Sequence, residues 1–170
     1  NGSPVINTGR IEPAPLNEIP LRDFVWCVPE QPSPGIEKLL LLIDSITNPS
    51  CRSLIASFLL DREFVEAFIS APGGQWIHNA YERGLMEHTV SVMEFALWVV
   101  EHNPGILNRD LILTGAFLHD IGKTREFQRG NREFRYSLEG RLVRHISIGC
   151  NMVQDRIAGL PGFSRDLALH

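Results

Sequence analysis

The stretch of sequence that decides the fold is GLMEHTVSVMEFALWVVEHNPGILNRDLILTGAFLHDIGK, residues 84–123. Its apolar residues recur at intervals of three and four, which is the spacing of one face of an α-helix. The pattern predicts a long helix over 84–101 that stops near Asn103-Pro104-Gly105, because proline and glycine interrupt helices. It then predicts a shorter helix over 109–120, with Asn108 as its N-cap. Two helices joined by a short turn therefore form the centre of the predicted domain.

The residues before this centre continue the helical pattern. Apolar residues on one face predict a helix over 36–46. Asn48 reads as an N-cap with Pro49 at the first helical position, opening a helix to about residue 60. Asp61 reads as the cap of a further helix over 62–70, and the segment 71–74, Ala-Pro-Gly-Gly, ends it.

The residues after the centre are also predicted to be mostly helical. Helices are expected over about 140–158 and from 164 onward. The polar, charged segment 130–138 between them is predicted to be a loop or a weak hairpin. Because the sequence contains neither an internal repeat nor an alternating series of strands, the predicted fold class is all-α.

The first 35 residues differ in composition from the rest of the chain. Proline removes a backbone donor and restricts the residue before it, so this stretch is predicted to be an extended linker or arm. The main domain is then expected to cover 36–170. Seven of the eleven prolines lie in this arm: Pro4, Pro13, Pro15, Pro20, Pro29, Pro32 and Pro34.

Composition limits the classes of protein that fit. The chain has 170 residues, 44% hydrophobic residues and a net charge of −4, which suits one domain and excludes a strongly basic nucleic-acid coat. Three widely spaced cysteines without a CxxC pair exclude a zinc ribbon and a disulfide framework, and predict free thiols in the cytoplasm. The sequence lacks both a signal peptide and an apolar run of the roughly 18 residues that a membrane span needs, so no membrane association is expected.

Three histidines are predicted to lie on separate helix faces directed at the core. A single histidine in such a place is more often a hydrogen-bonded core residue than a ligand. Three of them favour a metal site, because a metal ion satisfies buried imidazoles and carboxylates together. The faces pair His88 with Leu85, Val92 and Phe95, His119 with Ile112, Gly115 and Ala116, and His145 with Leu142, Ile148 and Met152.

The adjacent pair His119-Asp120 needs a particular backbone to bind one ion. Neighbouring residues of a regular helix point about 100° apart, so both reach one ion only where the helix ends. Gly122 is predicted to mark that end and to give the backbone its freedom. Histidine with carboxylate suits manganese, iron, magnesium or zinc. His-Asp dipeptides also occur by chance, so the spacing alone has low specificity.

Lys123 and the arginine-rich segment that follows it each allow two interpretations. Lys123 could hold a phosphate oxygen beside the metal, or it could be a solvated lysine at a helix C-terminus. The segment 125–144 could line a nucleotide or RNA path, or it could be a solvated loop that pairs with its own Glu126, Glu133 and Glu139. Its arginines are Arg125, Arg129, Arg132, Arg135, Arg141 and Arg144.

Aromatic and cysteine residues nearby are further candidates for the site. The aromatics could stack on bases, although at this density they are more often packing residues. Cys150 and His145 lie on one predicted helix and point apart, which argues against a nucleophile pair. The aromatics concerned are Trp76, Tyr81, Phe127, Phe134 and Tyr136.

Two motifs carry a resemblance to a known family. GLMEHT at 84–89, followed some thirty residues later by LHDIGK at 118–123, resembles the HD superfamily of metal-dependent phosphohydrolases. Within it, the chain is most similar to the catalytic half of the YhaM-type 3′-5′ exoribonucleases, over roughly residues 16–170. The features that support this are the segment 36–70, Ile77-His78-Asn79-Ala80-Tyr81, Glu139-Gly140 and His145-Ile146-Ser147.

The resemblance implies an HD-domain helical bundle that binds one or two divalent metal ions, with Mn²⁺ favoured and Mg²⁺, Fe²⁺ or Zn²⁺ as alternatives. By position, His88, His119 and Asp120 would be ligands and His145 would serve a second metal. Lys123 would assist at the phosphate, and Lys123 and Asp120 are the expected catalytic residues.

The resemblance also sets expectations about the ends of the domain and about His78. An OB-type nucleic-acid-binding domain precedes the HD domain in that family, and a further histidine pair and a ligand aspartate follow it. This chain stops at His170, so it is expected to be a fragment. Asp155 and Asp166, the late aspartates, lack the context of that ligand. His78 matches part of a His-His pair whose first position is Ile77 here.

The function expected from the sequence is metal-dependent hydrolysis of phosphodiesters at RNA ends, with single-stranded RNA or a nucleotide as substrate. One alternative is another HD class: a nucleotidase, a dNTP hydrolase or a cyclic-dinucleotide phosphodiesterase. A second alternative is a non-enzymatic HD-like binding or regulatory module. The site motif cannot distinguish between these functions, because substrate specificity depends on the residues that surround the site.

Overall fold

The computed structural model of the chain describes residues 34–74, 83–130 and 133–170. Several predictions lie outside the described residues: the arm over 1–35 except for its last two residues, and the interpretations of Trp76, Ile77, His78, Tyr81 and Arg132.

The first helix lies two residues earlier than predicted, and the second and third begin where the predicted caps place them. They are α1 (Pro34–Asp44), α2 (Pro49–Leu59) and α3 (Arg62–Ser70). The side chain of Asn48 accepts a hydrogen bond from the Cys51 N–H at 3.1 Å, and the side chain of Asp61 accepts one from the Phe64 N–H at 3.2 Å. Both caps satisfy backbone donors that the first turn of a helix leaves unpaired, which confirms the predictions.

The two central helices, α4 (Gly84–Glu101) and α5 (Arg109–Leu118), make the most extensive helix-to-helix contact among the described elements. The bounds of α4 are those that the sequence predicts. Asn108 caps α5, accepting a hydrogen bond from the Leu111 N–H at 3.0 Å. Because α5 ends two residues earlier than predicted, His119 is its C-cap and Asp120 lies in the turn that follows.

A short hairpin and four short or medium helices complete the described chain. The hairpin confirms the second of the two predictions for this segment: its strands are antiparallel, with Phe127 opposite Tyr136. The order of elements is α6 (Lys123–Glu126), β1 (Phe127–Arg129), β2 (Phe134–Tyr136), α7 (Leu138–Leu142), α8 (Arg144–Ala158) and α9 (Arg165–Ala168).

The prediction of one helix over 140–158 is wrong, because the helix is interrupted between α7 and α8. Arg144 adopts a left-handed conformation with φ of 69°, which stops the helical hydrogen-bond ladder. Its guanidinium lies 4.8 Å from the centre of the Tyr136 ring, and its Nε lies 3.4 Å from a carboxylate oxygen of Glu126. The apolar residues keep their helical spacing across a single left-handed residue, so the sequence pattern does not reveal the interruption of the helix.

The hydrophobic core lies among α1 to α5. A chain of phenylalanine rings crosses it, with centroid distances of 4.9 Å from Phe58 to Phe64, 5.7 Å from Phe64 to Phe68 and 5.7 Å from Phe68 to Phe117. These contacts fix α5 against α2 and α3, and so place the residues that follow Leu118. Within the described ranges, the structure has no helix that is long and apolar enough to cross a membrane.

Asp110 ties the start of α5 to the start of α2. Its Oδ2 accepts hydrogen bonds from the Thr47 N–H at 2.9 Å, the Thr47 hydroxyl at 2.8 Å and the Asn48 N–H at 2.6 Å. Burial alone would raise the pKa of Asp110, but the hydrogen bonds from Thr47 and Asn48 outweigh it and lower the pKa below its ordinary value. The ionised form of Asp110 therefore stabilises the fold.

Asp110→Ala is expected to lower the free energy of unfolding by about 2 kcal/mol at pH 7, because it leaves donors of Thr47 and Asn48 unpaired. Since the pKa is depressed in the folded state, this stabilisation is present above the unfolded pKa of about 3.9 and is lost as pH falls through the folded value. Urea unfolding at pH 7 and pH 3 measures the difference, with exposed Asp155→Ala as the control. Equal losses for Asp110→Ala at both pH values would contradict this role.

Candidate metal centre

The predicted site residues converge where four elements meet. His88 lies in the second turn of α4, and His119 and Asp120 follow the end of α5. Lys123 opens α6, and His145 is the second residue of α8. Residues up to 57 positions apart in the sequence thus reach one place because α4 packs along α5 and α8 packs against α6.

Three of these residues form a group with the geometry of a metal site. The Nε2 atoms of His88 and His119 are 3.2 Å apart, and they lie 3.3 Å and 3.2 Å from Asp120 Oδ2. Each residue offers one ligand atom, and the three atoms lie within 4.8 Å of one another. The structure therefore brings together His88, His119 and Asp120 as the sequence predicts, in the turn geometry that an adjacent His-Asp pair requires.

The hydrogen bond of His119 Nδ1 determines which ring nitrogen is available to a metal ion. Nδ1 lies 2.8 Å from the carbonyl oxygen of Ala116. A carbonyl oxygen only accepts, so Nδ1 carries a proton, and Nε2 is the atom that a second proton or a metal ion would occupy. Nε2 lies 3.2 Å from the carboxylate Oδ2. A proton on Nε2 makes this contact a hydrogen bond, and loss of that proton leaves a lone pair that a divalent metal ion can bind, so the residues fit such an ion.

Electrostatics keep the carboxylate of this group ionised. Burial would raise the pKa of Asp120, but hydrogen bonds with His119 and Lys123 outweigh it and hold that pKa well below its usual range. The hydrogen bond with Asp120 raises the pKa of His119, while burial lowers the pKa of His88. These shifts favour an ionised Asp120 and a neutral His88, the forms that bind metal, whereas His119 would release a proton when a metal ion binds.

Lys123 is held inside the site rather than solvated. Its Nζ donates a hydrogen bond to Asp120 Oδ2 at 2.7 Å and another to the carbonyl of Gly73, and its side chain is 12% exposed. The expectation of a solvated lysine is thus wrong. Its direct partner is the carboxylate of Asp120, and contact with a phosphate stays a prediction.

His145 lies beside the other oxygen of the Asp120 carboxylate, Oδ1. Its Nε2 lies 3.5 Å from Asp120 Oδ1, whereas His88, His119 and Lys123 contact Oδ2. The two oxygens of Asp120 therefore face two different sets of groups. His145 does not belong to the three-residue group, and its role as a ligand of a second ion stays a prediction.

Glu126 is the residue at this site that sequence reasoning missed. The sequence suggests only a charge partner of the arginines, yet Glu126 is 1% exposed and its Oε2 lies 2.9 Å from Nδ1 of His145. A single glutamate among exposed charged residues carries no spacing signal. Glu126 lies beside His145 only because the fold buries the end of α6 against the start of α8.

The prediction that the three histidines point into the core is wrong. Their side chains are 35%, 34% and 26% exposed for His88, His119 and His145. Phe95 and Leu142, which were placed on the same inward faces, are 66% and 74% exposed. The histidines instead lie at a rim between core and solvent, where one face of the cluster stays accessible.

Two described arginines of the arginine-rich segment pair with its own glutamates, as the second interpretation predicts for them. Arg125 lies 2.9 Å from Glu139, and Arg135 lies 2.9 Å from Glu133. The aromatic residues here pack on each other, with the rings of Phe127 and Tyr136 5.0 Å apart. Among the described cysteines, Cys51 is buried, Cys150 is exposed and both are free thiols.

Gly122 is needed for a different reason from the one predicted. Its φ of −61° is right-handed, so the turn does not use the conformational freedom of glycine. A Cβ at this position would instead lie 2.0 Å from the carbonyl oxygen of His145 and 2.7 Å from the backbone nitrogen of Gly149. The missing side chain lets α8 approach the turn that carries Asp120.

Comparison with known proteins agrees with this geometry. Residues 85–160 match the family model described as HD domain, a span that contains His88, His119, Asp120 and His145. The chain carries an HD domain, as the GLMEHT and LHDIGK motifs predict. No solved structure matches it significantly.

Curated relatives that match include bacterial proteins named 3'-5' exoribonuclease YhaM. The chain is 34% identical over 138 residues to that of Shouchella clausii (strain KSM-K16), covering 81% of this chain and 42% of the relative. It is 35% identical over 126 residues to that of Geobacillus sp. (strain WCH70), covering 74% and 38%. It is 29% identical over 153 residues to that of Halalkalibacterium halodurans, covering 89% and 47%. The chain thus spans less than half the length of these relatives.

Proposed function

We propose that this HD domain is the metal-dependent catalytic centre of a phosphodiesterase that removes nucleotides from the 3′ end of single-stranded RNA. The observation that carries the proposal is the convergence of the Nε2 atoms of His88 and His119 on Asp120 Oδ2 at 3.2 to 3.3 Å. The names of the curated relatives supply the substrate class.

The ligands we assign are His88, His119 and Asp120 for one divalent ion, with His145 serving a second ion on the other oxygen of Asp120. Such ions activate a water molecule and polarise the phosphoryl oxygen of the substrate. Imidazole and carboxylate together suit borderline and hard ions. Mn²⁺ is our first choice, and Mg²⁺, Fe²⁺ and Zn²⁺ are the alternatives.

Asp120 and Lys123 have different roles in this proposal. Asp120 supplies the negative charge that holds the metal, and Lys123 fixes that carboxylate and ties it to the carbonyl of Gly73. When a phosphate reaches the rim, the Lys123 ammonium can balance its charge, whereas the other lysine, Lys38 on α1, pairs with Glu94 on α4. The side chains of His88 and His119 are 35% and 34% exposed, so substrate can reach the atoms that we assign to the metal ion.

Substrate class is tested by comparing single-stranded RNA with mononucleotides, dNTPs and cyclic dinucleotides in the presence of Mn²⁺. We expect shortening of a 5′-labelled RNA from its 3′ end and at least about tenfold slower turnover of the others, which corresponds to a loss of about 1.36 kcal/mol of transition-state stabilisation. His119→Ala serves as the control for contaminating nucleases. Faster turnover of nucleotides than of RNA would replace the proposal with another HD hydrolase class, and binding without turnover would indicate a non-enzymatic module.

The proposed compartment is the cytoplasm. Cys150 is an exposed free thiol, and free surface thiols persist in reducing compartments.

A further inference from the structure

Glu126 is a buried carboxylate that lies behind His145 on the side away from Asp120. Its Oε2 is 2.9 Å from Nδ1 of His145, while Nε2 of the same ring is 3.5 Å from Asp120 Oδ1. We propose that Glu126 is the positioning residue of His145: it fixes the ring and its tautomer so that a lone pair at Nε2 faces the metal side. This inference rests on the proposed function and extends it to a residue outside the ligand set.

The tautomer follows from the chemistry of the two partners. A carboxylate oxygen accepts and does not donate, so the contact with Glu126 requires the proton to be on Nδ1. A neutral ring with its proton on Nδ1 carries its lone pair on Nε2, the atom that faces Asp120. A carboxylate behind a ligand histidine is the arrangement that orients such rings in metal sites and increases their basicity.

The second oxygen of Glu126 fixes the backbone of the same residue. Oε1 accepts a hydrogen bond from the backbone N–H of His145 at 3.2 Å. Val143, the N-cap of α8, makes no side-chain cap hydrogen bond, so Glu126 caps this 15-residue helix from outside. A carboxylate at a helix N-terminus is also favoured by the helix dipole. One side chain thereby holds both the main chain and the ring of His145.

Close backbone packing holds Glu126 itself in place. The Ser137 N–H donates to the Glu126 carbonyl at 2.9 Å. A Cβ on Gly140 would lie 2.2 Å from the same carbonyl, so only glycine allows α7 to come this near. Arg144 adds a longer contact, with Nε 3.4 Å from Oε1, but its side chain is 58% exposed. The shortest contact of the buried carboxylate is with His145.

The test is Glu126→Gln, which keeps the size of the side chain and removes one acceptor. A glutamine amide cannot accept from both the ring N–H and the backbone N–H of His145, so we expect the ring proton to move to Nε2. Nitrogen NMR of the imidazole in the metal-free protein detects this change of tautomer directly. We expect Mn²⁺ affinity, measured by calorimetry, to fall by about 10- to 100-fold. Thermal unfolding of the variant checks that the fold is kept.

A double-mutant cycle with His145→Ala separates positioning from a general structural role. We expect Glu126→Gln to change Mn²⁺ affinity by less than about twofold once His145 is gone, because its effect acts through that ring. Glu139→Gln is the matched control: this glutamate lies on α7, is partly exposed and pairs with Arg125. It should leave both the tautomer and the affinity unchanged.

Two results would overturn the inference. One is an unchanged His145 tautomer with unchanged Mn²⁺ affinity in Glu126→Gln. The other is the same loss of affinity in the His145→Ala background. Failure of the proposed function is distinguishable from either, because a parent chain that binds no Mn²⁺ removes the metal centre, while the NMR measurement still decides what Glu126 does to the ring.

Discussion

Asp120→Asn is expected to abolish binding of Mn²⁺ and to lower phosphodiesterase turnover by about 10³-fold or more. One oxygen of Asp120 lies within 3.3 Å of His88 and His119, and the other lies 3.5 Å from His145. The amide removes the only negative charge among the assigned ligands. A metal ion contributes several kcal/mol of charge stabilisation in the transition state, and each 1.36 kcal/mol corresponds to a factor of ten in rate.

The same substitution also removes the counter-charge of Lys123, whose side chain is 12% exposed. Breaking a largely buried pair in this way costs about 3 kcal/mol, so the metal-free variant should unfold at lower urea concentration. Asp120→Asn/Lys123→Met tests this explanation, because removing both charges should restore part of the stability without restoring metal binding. An Asp120→Asn variant that binds Mn²⁺ as tightly as the parent would contradict the ligand assignment.

Gly122→Ala is expected to lower the free energy of unfolding by about 3 kcal/mol, at the upper end of the usual cost of overpacking. The added Cβ would lie 2.0 Å from the carbonyl oxygen of His145 and 2.7 Å from the nitrogen of Gly149. Both are backbone atoms, so neither can move aside by changing a rotamer. The helix α8 must shift away, and His145 moves with it.

Gly115→Ala is the matched control for this prediction, since a Cβ at Gly115 would meet nothing within 4 Å. Gly115 lies inside α5, where alanine is favoured over glycine by up to about 1 kcal/mol, so this variant should be slightly more stable than the parent. Urea unfolding followed by circular dichroism compares the two. Equal stabilities of the two variants would mean that the close contact of Gly122 with α8 does not constrain the fold.

The features that local chemistry determines were predictable from the sequence. Asn48, Asp61 and Asn108 each cap the helix that the pattern assigns to them, because a cap depends only on residues three positions away. The convergence of His88, His119 and Asp120 was predictable for a related reason. Helical spacing places each of them at a defined point of α4 or α5, and packing of these two helices brings the points together.

The features that depend on contacts between distant segments were not predictable. The break at Arg144 is a single left-handed residue held by Tyr136 and Glu126, and apolar spacing continues across it. Glu126 is buried because α6, α7 and α8 meet around it, although its sequence neighbours are charged. Gly122 was assigned a conformational role, whereas its function is to allow close approach of His145.

The central claim, that His88, His119 and Asp120 hold a divalent metal ion, is tested most directly by the metal content of the purified chain. The 170-residue protein is supplied with Mn²⁺, freed of unbound ion and analysed beside a His119→Ala/Asp120→Ala double variant. We predict at least one bound ion per parent chain and none in the variant. Equal metal content in the two proteins, or none in either, would contradict the assignment of this centre.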